Sequence, residues 1–122
     1  MPIVRPPHPD ESLEPFDGGV GVLTRDGEVR GHVATTLSWF WSPFSPLRKQ
    51  WWVWYIVVWT DGVREPSTED YPPFLAVTEM RSGYLDVESA ALTRNGRYDF
   101  AWLPPTERDA MLARLGISSD DF

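Results

Sequence analysis

The chain has no cysteine, one lysine and one asparagine among its 122 residues. Without cysteine there is no disulfide, no thiolate metal site and no thiol nucleophile, so the fold must hold together by packing alone. Histidine is scarce as well. His8 and His32 stand far apart with no paired spacing, which gives no basis for an imidazole metal centre. No apolar run approaches the roughly 20 residues that a membrane-spanning helix needs. No basic segment leads into an apolar one at the start of the chain, so no signal peptide is expected, and the expected location is cytoplasmic.

Catalytic motifs are missing too. There is no G-x-S-x-G, no P-loop and no G-x-G-x-x-G; Gly19-Val-Gly21 lacks both the third glycine and a following helix. The serines have no identifiable base. The best carboxylate cluster is Asp86, Glu88 and Asp99. It reads as a solvated strand face balanced by Arg94 and Arg97, with no apolar pocket to raise the pKa of one acid. The sequence points away from an enzyme and calls for no catalytic residue, cofactor or metal.

Acids are absent from one long segment. Between Val29 and Thr60 there is no Asp or Glu, only Arg30, Arg48 and Lys49. Elsewhere acids dominate: the formal net charge is −7 and the isoelectric point is about 4.7. A protein of that charge is repelled by nucleic acid and by anionic membranes, so neither is an expected partner. Arginine outnumbers lysine ten to one and there are twelve prolines, the codon supply of a GC-rich genome such as that of an actinobacterium or its phage.

What the chain does have is aromatic bulk: 14% of residues, seven of them Trp. Each such side chain buries about 150–250 Å², and a chain of this length suits one domain with a real core. The densest stretch is Trp51 to Trp59, bounded by Gln50 and Thr60 and followed by Asp61-Gly62. Short, aromatic, β-branched and closed by a turn signal, it reads as a strand buried on both faces.

Residues 1–19 carry Pro2, Pro6, Pro7, Pro9 and Pro15 and read as an extended acidic arm. Ile3, Val4, Leu13 and Phe16 are its candidate anchors. Strands are expected at Val20–Thr24 and about Val29–Trp41, joined by a positive-φ turn at Asp26-Gly27. Ser42–Lys49 reads as a loop. Pairing across it sets Trp39 near Trp52 and Leu37 near Trp54. One face then holds Trp52, Trp54, Ile56 and Val58, and the other Trp51, Val53, Tyr55, Val57 and Trp59 with His32, Thr36 and Phe40. A slip of one residue would invert these faces.

Val63–Pro73 reads as an acidic loop, Phe74–Arg81 as a strand and Tyr84–Thr93 as another. Asn95-Gly96 suggests a tight hairpin of type I′, returning a strand with Tyr98, Phe100 and Trp102 inward. A helix is expected over 106–115, with Thr106 as N-cap, Met111, Leu112 and Leu115 as its packing face, Gly116 as its stop and Ile117 pinning its end. Residues 118–122 form an acidic tail. The expected fold is α+β but mostly β: an antiparallel meander of about six strands over 20–117, a strongly twisted sheet or half-barrel, with one C-terminal helix. Val20–Thr24 and the Phe74 strand are the candidate edges for pairing with a second copy.

Two functional readings follow. In the first, Trp41, Phe44, Leu47, Arg48 and Lys49 form an apolar and basic hairpin tip that docks on another protein, in the manner of acidic inhibitors and antidotes made by bacteria and phages. In the second, Trp51, Tyr55 and Trp59 with His32 and Thr36 line a pocket for a small apolar or planar ligand.

Overall fold

A computed structural model describes residues 16–42, 45–66, 73–88 and 92–118. Six strands form a single antiparallel sheet: β1 (Val20–Arg25), β2 (Glu28–Ser42), β3 (Ser45–Trp59), β4 (Arg64–Pro66), β5 (Tyr84–Val87) and β6 (Gly96–Trp102). Among the described residues two α-helices accompany it, α1 (Pro73–Ser82) and α2 (Pro105–Leu115). The spatial order is β4-β3-β2-β1-β6-β5. The chain meanders outward from β1 to β4. α1 then returns it to the opposite side, where the β5–β6 hairpin joins β1 through β6.

The sheet is mostly β and curled into a half-barrel, as the sequence led us to expect, but its edges are β4 and β5. The candidate edge Val20–Thr24 is instead central, paired on both sides. The other candidate edge, Phe74–Arg81, lies within α1. Val77 and Thr78 suit a strand, but two helix signals prevail here. Pro73 opens the helix, where no backbone N–H is required. Gly83, at φ 90°, ends it, donating its N–H to the Met80 carbonyl at 3.2 Å. Val77 and Met80, one turn apart, are both buried.

The β1–β2 turn takes the expected form, with Asp26 at φ 56° and Gly27 at φ 77°. The β2–β3 pairing is tighter and longer than expected. β3 starts at Ser45, inside the segment read as a loop, and Trp41 stands opposite Lys49. Trp39 therefore pairs with Trp51, and Leu37 with Val53. That is a one-residue shift from the expected register, and it regroups the side chains of the two strands.

One face of the sheet holds Leu23, Val33, Val53, Val57, Trp59, Tyr98 and Phe100. With Phe16, Val77, Met80, Leu85 and Val87 they form the main core, against which Leu37, Tyr55 and Trp102 pack. α1 lies over this face. The other face holds Ala34, Ile56 and Val58, covered by Leu112, Leu115 and Ile117 from α2 and the residue that follows it. Val53, Tyr55, Val57 and Trp59 thus belong to the larger core.

Two turns differ from expectation. β4 occupies part of the supposed acidic loop, with Val57 opposite Glu65. Asn95-Gly96 does not make a two-residue hairpin. The last β5–β6 pair is Val87 with Gly96, so the connection runs over 88–95 and contains a short 3₁₀ turn, Leu92–Arg94. The Tyr98 hydroxyl donates to the Arg94 carbonyl at 2.9 Å, holding that turn.

α2 begins one residue earlier than expected. Pro104 occupies the N-cap position, no side chain caps the helix, and Pro105 takes the first helical position in place of a Thr106 cap. Its stop is as expected. Gly116 adopts φ 67°, and the N–H groups of Gly116 and Ile117 donate to the carbonyls of Ala113 and Leu112, both at 3.2 Å. The Arg64 guanidinium donates to the Leu115 carbonyl, tying β4 to the helix end. Among the described residues no helix is long and apolar enough to cross a membrane.

Candidate functional site

Antiparallel connectivity brings alternate turns to the same end of a sheet. The β1–β2 turn, the β3–β4 turn and the 88–95 connection lie together, and between them opens a hollow of about 470 Å³. It is lined by Arg25, Asp26, Arg30, Trp59, Thr60, Asp61, Thr93, Arg94 and Tyr98. Its volume falls in the range of small-molecule sites.

The floor is aromatic. Trp59 and Tyr98, on strands that do not pair with each other, meet with ring centroids 5.3 Å apart. Both are core residues, so their positions are set by packing. The Trp59 indole N–H donates to the Glu65 carboxylate on β4, fixing the ring orientation.

Guanidinium groups stand over this floor. Arg94 lies 5.4 Å from the Trp59 ring and Arg25 lies 5.1 Å from the Tyr98 ring, both within cation–π range. Arg94 is also held by both oxygens of Asp61. Asp61 in turn accepts the Val63 backbone N–H at 3.0 Å. That backbone hydrogen bond, then the one from Arg94, holds the Asp61 carboxyl below the usual carboxylate range.

Arg30 reaches the hollow through a β-bulge. Leu23 pairs with Gly31 and Thr24 with Val29, so Arg30 is the extra residue of β2. A bulge of this kind re-aims the side chain it carries. The Arg30 carbonyl accepts the Thr60 N–H at 3.0 Å. Among the described residues its Nε is buried without a hydrogen-bond partner, while its outer nitrogen lies 3.4 Å from the exposed Glu28 carboxylate.

The residues picked out from sequence have other places. By register, Tyr55 stands opposite Thr35 and Trp59 opposite Gly31, whereas His32 and Thr36 stand opposite Val58 and Trp54. Tyr55 and Trp59 therefore share the α1 side of the sheet, and His32 and Thr36 the α2 side, so these four side chains do not line one pocket. For Trp51 the structure describes only the strand position, opposite Trp39. Burial, then the charges of Glu79 and Glu88, push the Tyr55 hydroxyl up to about 12. Burial, then the charge of Arg114, lowers the His32 pKa.

Phe44 lies outside the described residues. Of Trp41, Leu47, Arg48 and Lys49 the structure describes the strand positions only: all lie on the far part of the β2–β3 hairpin, at the end opposite the hollow. Asp86 is paired with Arg97, with Nε to Oδ1 at 3.1 Å, which fits a solvated face. Arg94 serves Asp61 instead of that cluster. No group of acids or histidines among the described residues could hold a metal ion. A cavity of about 40 Å³ between β3, β4 and β5, lined by Tyr55, Glu65 and Glu88 among others, has room for little more than water.

Sequence reasoning missed Arg25, Arg30, Asp61, Arg94 and Tyr98. Part of the signal was present. Asp26-Gly27 and Asp61-Gly62 are turns that an antiparallel meander puts at one end, and Arg25 and Asp61 flank or form them. Comparison with known proteins found no matching family model, curated protein or solved structure.

Proposed function

We propose that this protein is a non-enzymatic binding module that docks on another protein through the β2–β3 hairpin. The observation that supports the reading is the reach of that hairpin beyond its neighbours. β1 pairs with β2 only as far as Ala34, and β4 pairs with β3 only from Ile56 to Val58. Residues 36–42 pair with Ser45 and residues 49–54 and, among the described residues, neither segment pairs with another strand. Seven paired residues at roughly 3.3 Å each make a two-stranded ribbon of about 23 Å.

The composition of the ribbon suits docking. It contains Trp39, Phe40, Trp41, Trp51, Trp52 and Trp54, with Arg48 and Lys49 as its charges and no acid. Aromatic and cationic side chains on a preformed element are typical of interface hot spots. Such a composition fits an apolar groove rimmed by acids on a cytoplasmic partner. The chain as a whole, with its net charge of −7, argues against nucleic acid and anionic membranes as that partner. The inhibitor or antidote class from bacteria and phages remains the analogy of choice for a small acidic module of this kind.

The test is affinity purification from a bacterial host with the full chain and with a Trp41→Ser, Phe44→Asp variant, followed by calorimetry on the purified pair. The expected result is one protein held by the wild type and lost by the variant at unchanged melting temperature. Equal binding by both forms would remove the ribbon from the interface.

A further inference from the structure

The hollow at the opposite end of the sheet is independent of that docking reading. Three arginines and two aspartates line it, an excess of positive charge in a chain whose net charge is −7. The excess is not evenly shared. Asp61 is taken up by Arg94 through both carboxylate oxygens. Arg25 has a ring beneath it and, among the described residues, no carboxylate partner. Arg30 has a covered Nε with no acceptor and a long contact to an exposed acid.

Two features hold these donors in place without an anion. Stacking on Tyr98 fixes Arg25, and Gly96 leaves the room for it: a Cβ there would lie 3.2 Å from one terminal nitrogen and 3.4 Å from the other. The bulge fixes Arg30, whose carbonyl is tied to Thr60. Guanidinium groups that are already oriented lose little freedom on binding, and their forked donors match the geometry of oxyanions.

We propose that this hollow binds the oxyanion of a small molecule, a phosphate ester or a carboxylate, with Arg25 and Arg30 as its donors and Arg94, locked by Asp61, beside them. The bound oxygens meet the outer guanidinium nitrogens of Arg25 and Arg30, in the forked geometry that oxyanions match. Trp59 and Tyr98, both buried, form the floor beneath the guanidinium groups and hold them towards the ligand.

The experiment is a titration of the ¹⁵N-labelled full chain with inorganic phosphate, with acetate and with chloride at matched ionic strength. Backbone signals of Arg25, Arg30, Thr60 and Thr93 and the arginine Nε–H signals are followed. Phosphate or acetate should give saturable shifts that chloride does not, and the tighter of the two identifies the ligand class. Arg25→Gln and Arg30→Gln should each weaken that binding at least tenfold. Arg108→Gln should leave it unchanged, although Arg108 also has a buried Nε with no hydrogen bond, because it lies on α2 and does not line the hollow. Should Arg30→Gln lose its dispersed spectrum, Arg25→Gln at the exposed strand end decides alone. Linear shifts equal to those of chloride, or saturation that survives the Arg25 substitution, overturn the proposal.

Discussion

Gly31 and Trp59 are cross-strand partners, and the indole lies where a side chain on Gly31 would have to go. A Cβ at Gly31 would stand 3.2 Å from Cε3 of Trp59 and 2.9 Å from the Val58 carbonyl oxygen. Trp59 is both a core residue and part of the hollow's floor, so this contact couples stability to the site. Gly31→Ala is expected to destabilise the fold by about 1–3 kcal/mol, the range for overpacking a well-filled site. It should also displace the arginine signals around the hollow. Urea denaturation with the same variant's spectrum checks both; a variant as stable as wild type would mean the strands can part at no cost.

Phe16 is completely buried and meets Trp102 edge-on at 5.0 Å. It lies before β1 and is the anchor of the N-terminal segment that the structure describes. Phe16→Ala should cost about 3–5 kcal/mol, as for other large core truncations. A loss below 1 kcal/mol in urea denaturation would show that the ring is dispensable to the core.

His32 lies on the sheet face covered by α2, and its folded pKa is below the ordinary 6.5 through burial and then Arg114. The unfolded chain therefore takes up this proton first as pH falls. Stability contributed by neutral His32 is complete above about pH 6.5 and declines below it, until the folded form also titrates. Wild type minus His32→Gln, measured by chemical denaturation between pH 7.5 and 5, should show that decline. A flat difference across the range would rule out the linkage.

Gly116 holds a left-handed conformation at the end of α2, and an added Cβ would also approach the Arg64 guanidinium at 3.3 Å. Gly116→Ala should cost about 1 kcal/mol and speed amide exchange at Gly116 and Ile117, whose N–H groups close the helix end. Unchanged exchange at both positions would contradict the capping role. Arg64→Ala should speed exchange around Leu115 by removing the tie from β4.

Much of the fold was legible because local chemistry and tertiary demand agreed. Asp26-Gly27 forms its positive-φ turn, Tyr98, Phe100 and Trp102 alternate inward, and Gly116 ends α2 with Leu112 and Ile117 on its packed side. Where two local readings were both plausible, the sequence misled. Val77 and Thr78 suit a strand, yet Pro73 and Gly83 bound a helix. Asn95-Gly96 suits a tight turn, yet the β5–β6 register places the connection over 88–95. Gly21 looked like part of an incomplete nucleotide motif. Its reason is steric: the Phe100 ring lies against it so closely that a Cβ would overlap the ring edge.

The candidate site was less legible, because it is assembled from side chains that share no local pattern. Arg25, Arg30, Asp61, Arg94 and Tyr98 come from separate strands and connections. Arg30 enters only because a bulge breaks the alternation of β2.

The sequence by itself determined the class of fold, since hydrophobic period, turn residues and helix stops act over a few neighbouring positions. It determined that Trp51 to Trp59 is a strand, and from Val53 to Trp59 its described side chains are buried or half-buried. Which of its faces meets which layer was decided only by tertiary structure. Side chains alternate at every residue, so a single-residue difference in pairing with β2 assigns Tyr55 and Trp59 to the α1 core and Trp54, Ile56 and Val58 to the side that α2 covers. The same pairing fixed the hollow, since the turns that surround it become neighbours only when the strands are in register.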